Sequence, residues 1–148
     1  MTLNDILSKL TTANLSTTIK NAAEDVITFV SGGYQGVESD ILARTVKSWA
    51  VNGKNLDIVM EQQTGTLTLS ASSASLTSVG DTEDVSVTAH TGELSAVSSN
   101  EEVATVSISG TTVTIEEVAA GSATITVTSA ATGDYAEATA TISVTCTE

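Results

Sequence analysis

The amino-acid sequence predicts a chain of two parts: a small α-helical N-terminal region and an all-β sandwich of about seven strands. Three observations lead to this fold class. Before residue 60, apolar residues recur at three- and four-residue spacings, which is typical of amphipathic helices. After Gly65, apolar and polar residues alternate, which is typical of half-buried strands. Serine and threonine supply 45 of the 148 residues, and threonine favours strands.

Residues 1–60 are expected to form a helical base. Its first helix has an apolar stripe at helical spacing and ends at Gly32-Gly33. The stripe consists of Leu15, Ile19, Ala22, Ala23, Val26, Ile27 and Val30. A second helix is expected from Glu38 to Val51, with Ile41 and Trp49 directed inward. Residues 54–62 fit either the end of this base or an edge strand of the sandwich.

Short helices of this size bury little apolar surface by themselves, so the base is expected to associate with something else. Copies of the same chain and other proteins are the expected partners. The residues expected at this interface are Leu15, Ile19, Val26, Val30, Ile41 and Trp49. Trp49 is the only tryptophan; a core position is the favoured interpretation and an interface anchor is the alternative.

Residues 61–148 contain short runs of alternating apolar residues, separated by turn-forming pairs such as Gly80-Asp81 and Ser109-Gly110. The runs are Leu67–Leu69, Val85–Ala89, Val106–Ile108, Val113–Ile115, Ala123–Val127 and Ala138–Cys146. About seven short strands, separated by turns in this way, predict an immunoglobulin-like sandwich. The single cysteine, Cys146, shares its parity with Ile142 and Val144, which places it on the core face.

An ordered set of motifs between about residues 66 and 146 resembles the bacterial immunoglobulin-like domain, group 2. The motifs are LTSVGD at 76–81, SSNEEVATV at 98–106, GTTVT at 110–114, AAGSATITV at 119–127 and ATATISV at 138–144. Many members carry tryptophan just before the Ser-Ser-Asn segment, where this chain has Ala96-Val97. A shallower core is therefore expected at that point.

The resemblance implies a module displayed on a surface, as on bacterial adhesins and on bacteriophage head, tail and fibre proteins, and it names no ligand. The first twenty residues show no signal peptide. This favours a non-enzymatic bacteriophage virion protein, such as a capsid decoration, head fibre or tail accessory subunit, assembled in the host cytoplasm and displayed on the virion surface. The alternative is a module of a bacterial cell-surface adhesin.

The expected partners follow from this interpretation. The helical base would bind other phage structural proteins, of the capsid or the tail, and would form a homo-oligomer. The immunoglobulin-like head would adhere weakly to host-surface carbohydrate, through its Ser/Thr-rich outer faces. Tyr135 is a candidate for ligand contact there, although a packing residue that fixes a loop is the favoured interpretation.

Charge excludes one class of partner. The net charge is −13, and residues 61–148 hold twelve acidic residues without any lysine or arginine. Such a surface repels phosphate backbones, so nucleic-acid binding is not expected.

No apolar run approaches the roughly 20 residues of a membrane helix, so membrane insertion is not expected either.

Residues for catalysis are scarce. His90 is the only histidine, and an exposed turn residue is favoured over a general base. One cysteine and one histidine do not predict a zinc site. Clustered carboxylates make a weak case for calcium, with solvated charge as the favoured interpretation. The calcium candidates are Asp81, Glu83, Asp84 and Asp134; no other cofactor is expected.

Overall fold

The computed structural model describes residues 2–3, 16–20, 26–31, 45–52 and 55–147. The chain divides into two compact units, Met1–Gln63 and Thr64–Glu148. In the described part, twelve strands form three four-stranded sheets. The expected domains, 1–60 and 61–148, differ from these units by three residues at the boundary.

The first unit contains one sheet with the strand order β2-β1-β4-β3. Its strands are β1 (Ser16–Lys20), β2 (Val26–Ser31), β3 (Val46–Asn52) and β4 (Asn55–Met60). β1 runs parallel to β4, whereas the β1–β2 and β3–β4 pairs are antiparallel. Ile58 and Met60 on β4 are fully buried, so this central strand belongs to the core of the first unit.

The prediction of a helical base is wrong. Residues 16–20 and 26–30 of the expected first helix form strands β1 and β2, and residues 46–51 of the expected second helix lie in β3. Residues 15, 21–25 and 38–44 of these two helices lie outside the described residues. The physical reason is the β-branched content of these segments, since threonine, valine and isoleucine restrict χ1 and favour a pleated backbone. Helical spacing of apolar residues did not outweigh this preference.

The position of residues 54–62, open from sequence, is settled by hydrogen bonding. β4 pairs with β1 and with β3, so it belongs to the sheet of the first unit. Asn52 and Asn55 are register partners, which leaves two residues between β3 and β4. These two residues are Gly53 and Lys54, and glycine at the first of two connecting positions is a sequence signal for a tight hairpin.

The second unit contains eight strands, one more than the approximately seven expected. They are β5 (Leu67–Leu69), β6 (Ser73–Leu76), β7 (Thr82–His90), β8 (Leu94–Ser98), β9 (Ala104–Ser109), β10 (Thr112–Glu117), β11 (Gly121–Ser129) and β12 (Ala138–Cys146). One sheet has the order β5-β7-β10-β9 and the other has the order β6-β12-β11-β8. The chain therefore changes sheets between β5 and β6.

The two sheets of the second unit pack face to face around one aliphatic core. Alternate residues of each strand point inward, so that Val85 and Ile115 from one sheet share a cluster with Ile125 and Ile142 from the other. Two four-stranded sheets in this order, with the first strand divided between them, correspond to an immunoglobulin-type sandwich. Ala96 on β8, the point where a shallower core was expected from the sequence, is only partly buried against the core.

Candidate functional site

The outward-facing side of the sheet β6-β12-β11-β8 is unusual in composition, and we call it the hydroxyl face. Its twelve positions alternate with buried core residues such as Ile125 and Val144. Eleven of them are serine or threonine and the twelfth is valine. These residues are Ser73, Ser75, Ser95, Val97, Ser122, Thr124, Thr126, Thr128, Thr139, Thr141, Ser143 and Thr145.

Strand register arranges these side chains in rows across the sheet. Thr126 lies opposite both Thr141 and Val97, and Thr128 lies opposite Thr139 and Ser95. Further rows cross from β11 through β12 to β6, such as Ser122–Thr145–Ser75 and Thr124–Ser143–Ser73. Because strands lie about 4.8 Å apart and alternate residues about 6.7 Å apart, the hydroxyls form a two-dimensional array.

The hydroxyls of this array are available to a ligand. Ten of the twelve residues are exposed, and Thr126 and Thr128 are half-buried. Within the described part of the chain, none of the eleven side-chain hydroxyls forms a hydrogen bond with another protein group. Each hydroxyl can donate one hydrogen bond and accept two. The face therefore offers a set of unused donors and acceptors.

The outer side of the opposite sheet is different. There the Thr114 hydroxyl donates to Asp84 Oδ1 at 2.6 Å, and the Thr88 hydroxyl donates to the carbonyl oxygen of Thr68 at 3.2 Å. This side also carries Glu116 and, at the end of β7, His90. Its hydroxyls are partly used inside the protein and its surface is charged, so the two sides of the sandwich are not equivalent.

None of the twelve hydroxyl-face positions is ionisable, although the unit that carries them is strongly acidic. Residues 64–148 contain eleven aspartates and glutamates and no lysine or arginine. Glu93 and Glu137 border the face at one end, since β8 and β12 both begin there opposite Ser129. The face is therefore a neutral area on a negatively charged module.

The four calcium candidates do not converge on one site. Asp81 Oδ2 accepts hydrogen bonds from the Thr77 hydroxyl at 3.3 Å and the Thr77 amide at 3.4 Å. Glu83 Oε2 accepts one from the Ser75 amide at 3.1 Å, and Asp84 accepts one from Thr114. Asp134 belongs to a separate loop, where its amide donates to the Thr132 hydroxyl at 3.3 Å. Among the described residues, no group of three or more His, Cys, Asp or Glu is placed to hold a metal ion.

Both of the other singled-out residues take part in local structure. His90 is exposed at the end of β7, and its Nδ1 lies 2.8 Å from the carbonyl oxygen of Gly92, to which it donates. Tyr135 is half-buried in the loop before β12. Its amide donates to the Thr132 hydroxyl at 3.0 Å, and its carbonyl accepts from the Thr132 amide at 2.8 Å. Tyr135 therefore closes a turn beside the border of the hydroxyl face.

One buried polar group was not singled out from the sequence. Glu117, at the end of β10, is 1% exposed, and neither carboxyl oxygen has a hydrogen-bond partner in the described part of the chain. The sequence signal was its parity, since Glu117 follows Val113 and Ile115 on the core-facing side of β10. Near it, Cys146 is buried, and its thiol donates to the carbonyl oxygen of Val103 at 3.7 Å.

Burial raises the pKa of the Cys146 thiol above its ordinary value of 9.0, and the negative charge of Glu117 raises that pKa further. The folded chain therefore keeps a proton that the unfolded chain loses above about pH 9. This contribution to stability is complete below the ordinary pKa and is lost as pH rises towards the folded-state pKa.

We expect the free energy of unfolding to fall above pH 9 by up to about 1.4 kcal/mol per pH unit from this thiol alone. Urea unfolding of the wild type and of Cys146→Ala between pH 7 and pH 10.5 measures the effect. The variant should show a smaller alkaline loss, whatever its absolute stability. Parallel curves for the two proteins would show that Cys146 does not contribute.

The residues expected at an interface lie in the first unit. Trp49 on the edge strand β3 is 54% exposed, so its side chain does not lie in the core. Its register partner is the buried Ile58, which is also the register partner of Ile19 on β1. Val26 and Val30 lie on β2, opposite Lys20 and Thr17. Leu15 and Ile41 lie outside the described residues.

Comparisons with known proteins identify no family. No protein-family model matches the chain, and no curated protein matches it. Eight chains of solved structures match. One is the crystal structure of the S-layer protein SbsC domains 4 and 5, with 24% sequence identity and a TM-score of 0.47. The match covers 63% of this chain and 50% of that chain, so this chain spans half the length of its structural neighbour.

The resemblance to bacterial immunoglobulin-like domains therefore rests on the sequence motifs between about residues 66 and 146. Within the described residues, no helix is long and apolar enough to cross a membrane.

Proposed function

We propose that this protein is a non-enzymatic structural or accessory protein of a bacteriophage particle, which displays its immunoglobulin-like unit on the virion surface. The observation that carries the proposal is the hydroxyl face, an array of exposed and unused hydroxyls on one side of the sandwich. A surface of this kind suits adhesion through many weak contacts, because each hydroxyl bond contributes little by itself. Display in many copies on one particle multiplies such contacts.

The two units differ in a way that supports separate roles. Residues 1–60 hold all five lysines and arginines together with six acidic residues. Residues 61–148 hold twelve acidic residues and no lysine or arginine. Copies of the second unit repel one another, which keeps displayed modules apart. We assign attachment to the capsid or tail, and self-association, to the first unit, where Trp49 is an exposed aromatic side chain on an edge strand. The attaching element is then a β-sheet unit in place of the expected helices.

Fractionation of a lysate tests the proposal. Cells that carry the gene are induced to release particles, which are purified on a density gradient and probed with an antibody against the full chain. We expect the protein to sediment with the particles and to be labelled on their outside by immunogold microscopy. Recovery in the envelope of uninduced cells would overturn the proposal and would favour a cell-surface adhesin.

A further inference from the structure

We propose that the hydroxyl face binds a neutral, hydroxyl-rich polysaccharide, laid flat across strands β12 and β11. This inference deepens the proposed function by naming the class of ligand and the surface that receives it. It rests on the proposed function only in assuming that this face is displayed.

The charge distribution selects a neutral ligand. The face has no ionisable residue, and the unit around it carries eleven acidic residues and no lysine or arginine. A polysaccharide with carboxylate, sulfate or phosphate groups would find no cation here and would be repelled by the surrounding charge. A neutral polysaccharide is not repelled by this charge, and salt does not screen its hydrogen bonds.

The geometry selects an extended, repeating ligand. Rows such as Thr141–Thr126 and Thr139–Thr128 repeat along the two central strands of the sheet. A ligand with hydroxyls along its length can meet several rows at once, because each protein hydroxyl both donates and accepts. Each threonine side chain also carries a methyl group, which can contact the C–H face of a sugar ring.

The absence of aromatic residues from the twelve positions makes each contact weak. Tyr135 is the only aromatic residue between 64 and 148, and it lies outside the face. A hydrogen bond that replaces bonds to water contributes little net free energy. A single unit is therefore expected to bind at about millimolar concentrations, and many copies are needed for firm attachment.

Affinity electrophoresis of the full chain suits such weak binding. The net charge of −13 carries the protein through native gels that contain hydroxyethyl cellulose or dextran as neutral polymers, or alginate as a polyanion. We expect at least one neutral polymer to retard the protein and alginate not to do so. Mobility in gels without polymer corrects for changes in the protein itself.

The matched variants carry the same substitutions on opposite sides of the sandwich. Thr124→Val with Thr141→Val removes two exposed hydroxyls from the hydroxyl face, and Thr68→Val with Thr82→Val removes two from the other side. We expect about a tenfold or greater rise in the apparent dissociation constant for the first pair and no change for the second. Thr141→Glu places a charge on the face and should abolish retardation. This variant is the second test, for use where the added valines reduce solubility.

Several outcomes would overturn the inference. These are no retardation by either neutral polymer, equal retardation by alginate, or retardation that survives both Thr141→Glu and the Thr124/Thr141 substitutions. A concentration-dependent mass in light scattering that those same substitutions abolish would make the face a contact between copies, and would also overturn it. Particle fractionation is a separate measurement, so failure of the ligand class is distinguishable from failure of the proposed function.

Discussion

Replacing Gly92 by alanine should lower the free energy of unfolding of the second unit by about 3 kcal/mol. A β-carbon at Gly92 would overlap the carbonyl oxygen of Ala130, which is backbone and cannot rotate away. The Gly92 amide also donates to the buried Ser129 hydroxyl at 2.8 Å, and the Thr91 amide donates to the same oxygen at 3.3 Å. Moving the chain to relieve the overlap would stretch both bonds. Urea unfolding followed by circular dichroism measures the change.

Gly110→Ala is the matched control. Gly110 has a φ of +59°, so alanine is strained there, but a β-carbon would meet open space. We expect a loss of about 1 kcal/mol from this left-handed backbone alone. If Gly92→Ala costs no more than Gly110→Ala, the close approach between Gly92 and Ala130 does not constrain the fold.

Replacing Glu117 by methionine should stabilise the second unit, by about 2 kcal/mol. The carboxyl group is buried without a hydrogen-bond partner among the described residues, and residues 61–148 contain no lysine or arginine to pair with it. Burial of an unpartnered polar group is unfavourable, and methionine has a similar length without that penalty. Chemical denaturation at pH 7 should show a higher midpoint with an unchanged dependence on urea concentration.

Two further variants are controls: one changes a neighbouring exposed carboxylate, and the other removes the charge of Glu117 but keeps a polar group. Glu116→Met changes the neighbouring exposed carboxylate and should alter stability by less than about 0.5 kcal/mol. Glu117→Gln keeps a buried polar group, so its gain should be smaller than that of methionine. A loss of stability in both Glu117 variants would contradict the interpretation and would indicate that the carboxyl group has a partner in solution.

The first unit shows where pattern reading from sequence fails. Apolar residues at Ile19, Val26 and Val30 satisfy helical spacing, yet these positions form strands. Most of the apolar residues in these strands are β-branched, and that local preference was the more informative signal. The expected second helix ended at Val51, just before Gly53, although Gly-Lys between two strands also fits a tight hairpin.

In the second unit, the strands match the alternation of apolar and polar residues in the sequence. A strand with one face in the core requires apolar residues at every second position. Val85, Val113 and Ile142 occupy the core as their parity required. The signal weakens at β6 and β8, where small residues replace the β-branched ones. Strand existence there depends on pairing with β12 and β11, which local sequence does not specify.

The candidate site was only partly predictable. The sequence predicted Ser/Thr-rich outer faces, but it did not predict that the outer sides of the two sheets differ in charge and in the use of their hydroxyls. This difference depends on which strands share a sheet, since β7 and β10 bring Asp84 beside Thr114, whereas β11 and β12 bring Thr126 beside Thr141. Glu117 was predictable as inward-facing from parity, but its lack of a partner required the three-dimensional packing.

The parallel pairing of β6 with β12 determines how this unit would resist mechanical force. Ser73–Leu76 lies near the start of the unit and Ser143–Cys146 near its end, and the two segments run side by side. Tension on the two ends pulls these parallel segments in opposite directions along their length, so their hydrogen bonds are loaded together in shear. Two further hydrogen bonds are loaded in the same way: the Ser143 amide donates to the Ser72 carbonyl oxygen, and the Thr147 amide donates to the Leu76 carbonyl oxygen. Rupture under tension between the two ends then requires these hydrogen bonds to break together, so we expect a higher unfolding force than for strands that separate one bond at a time.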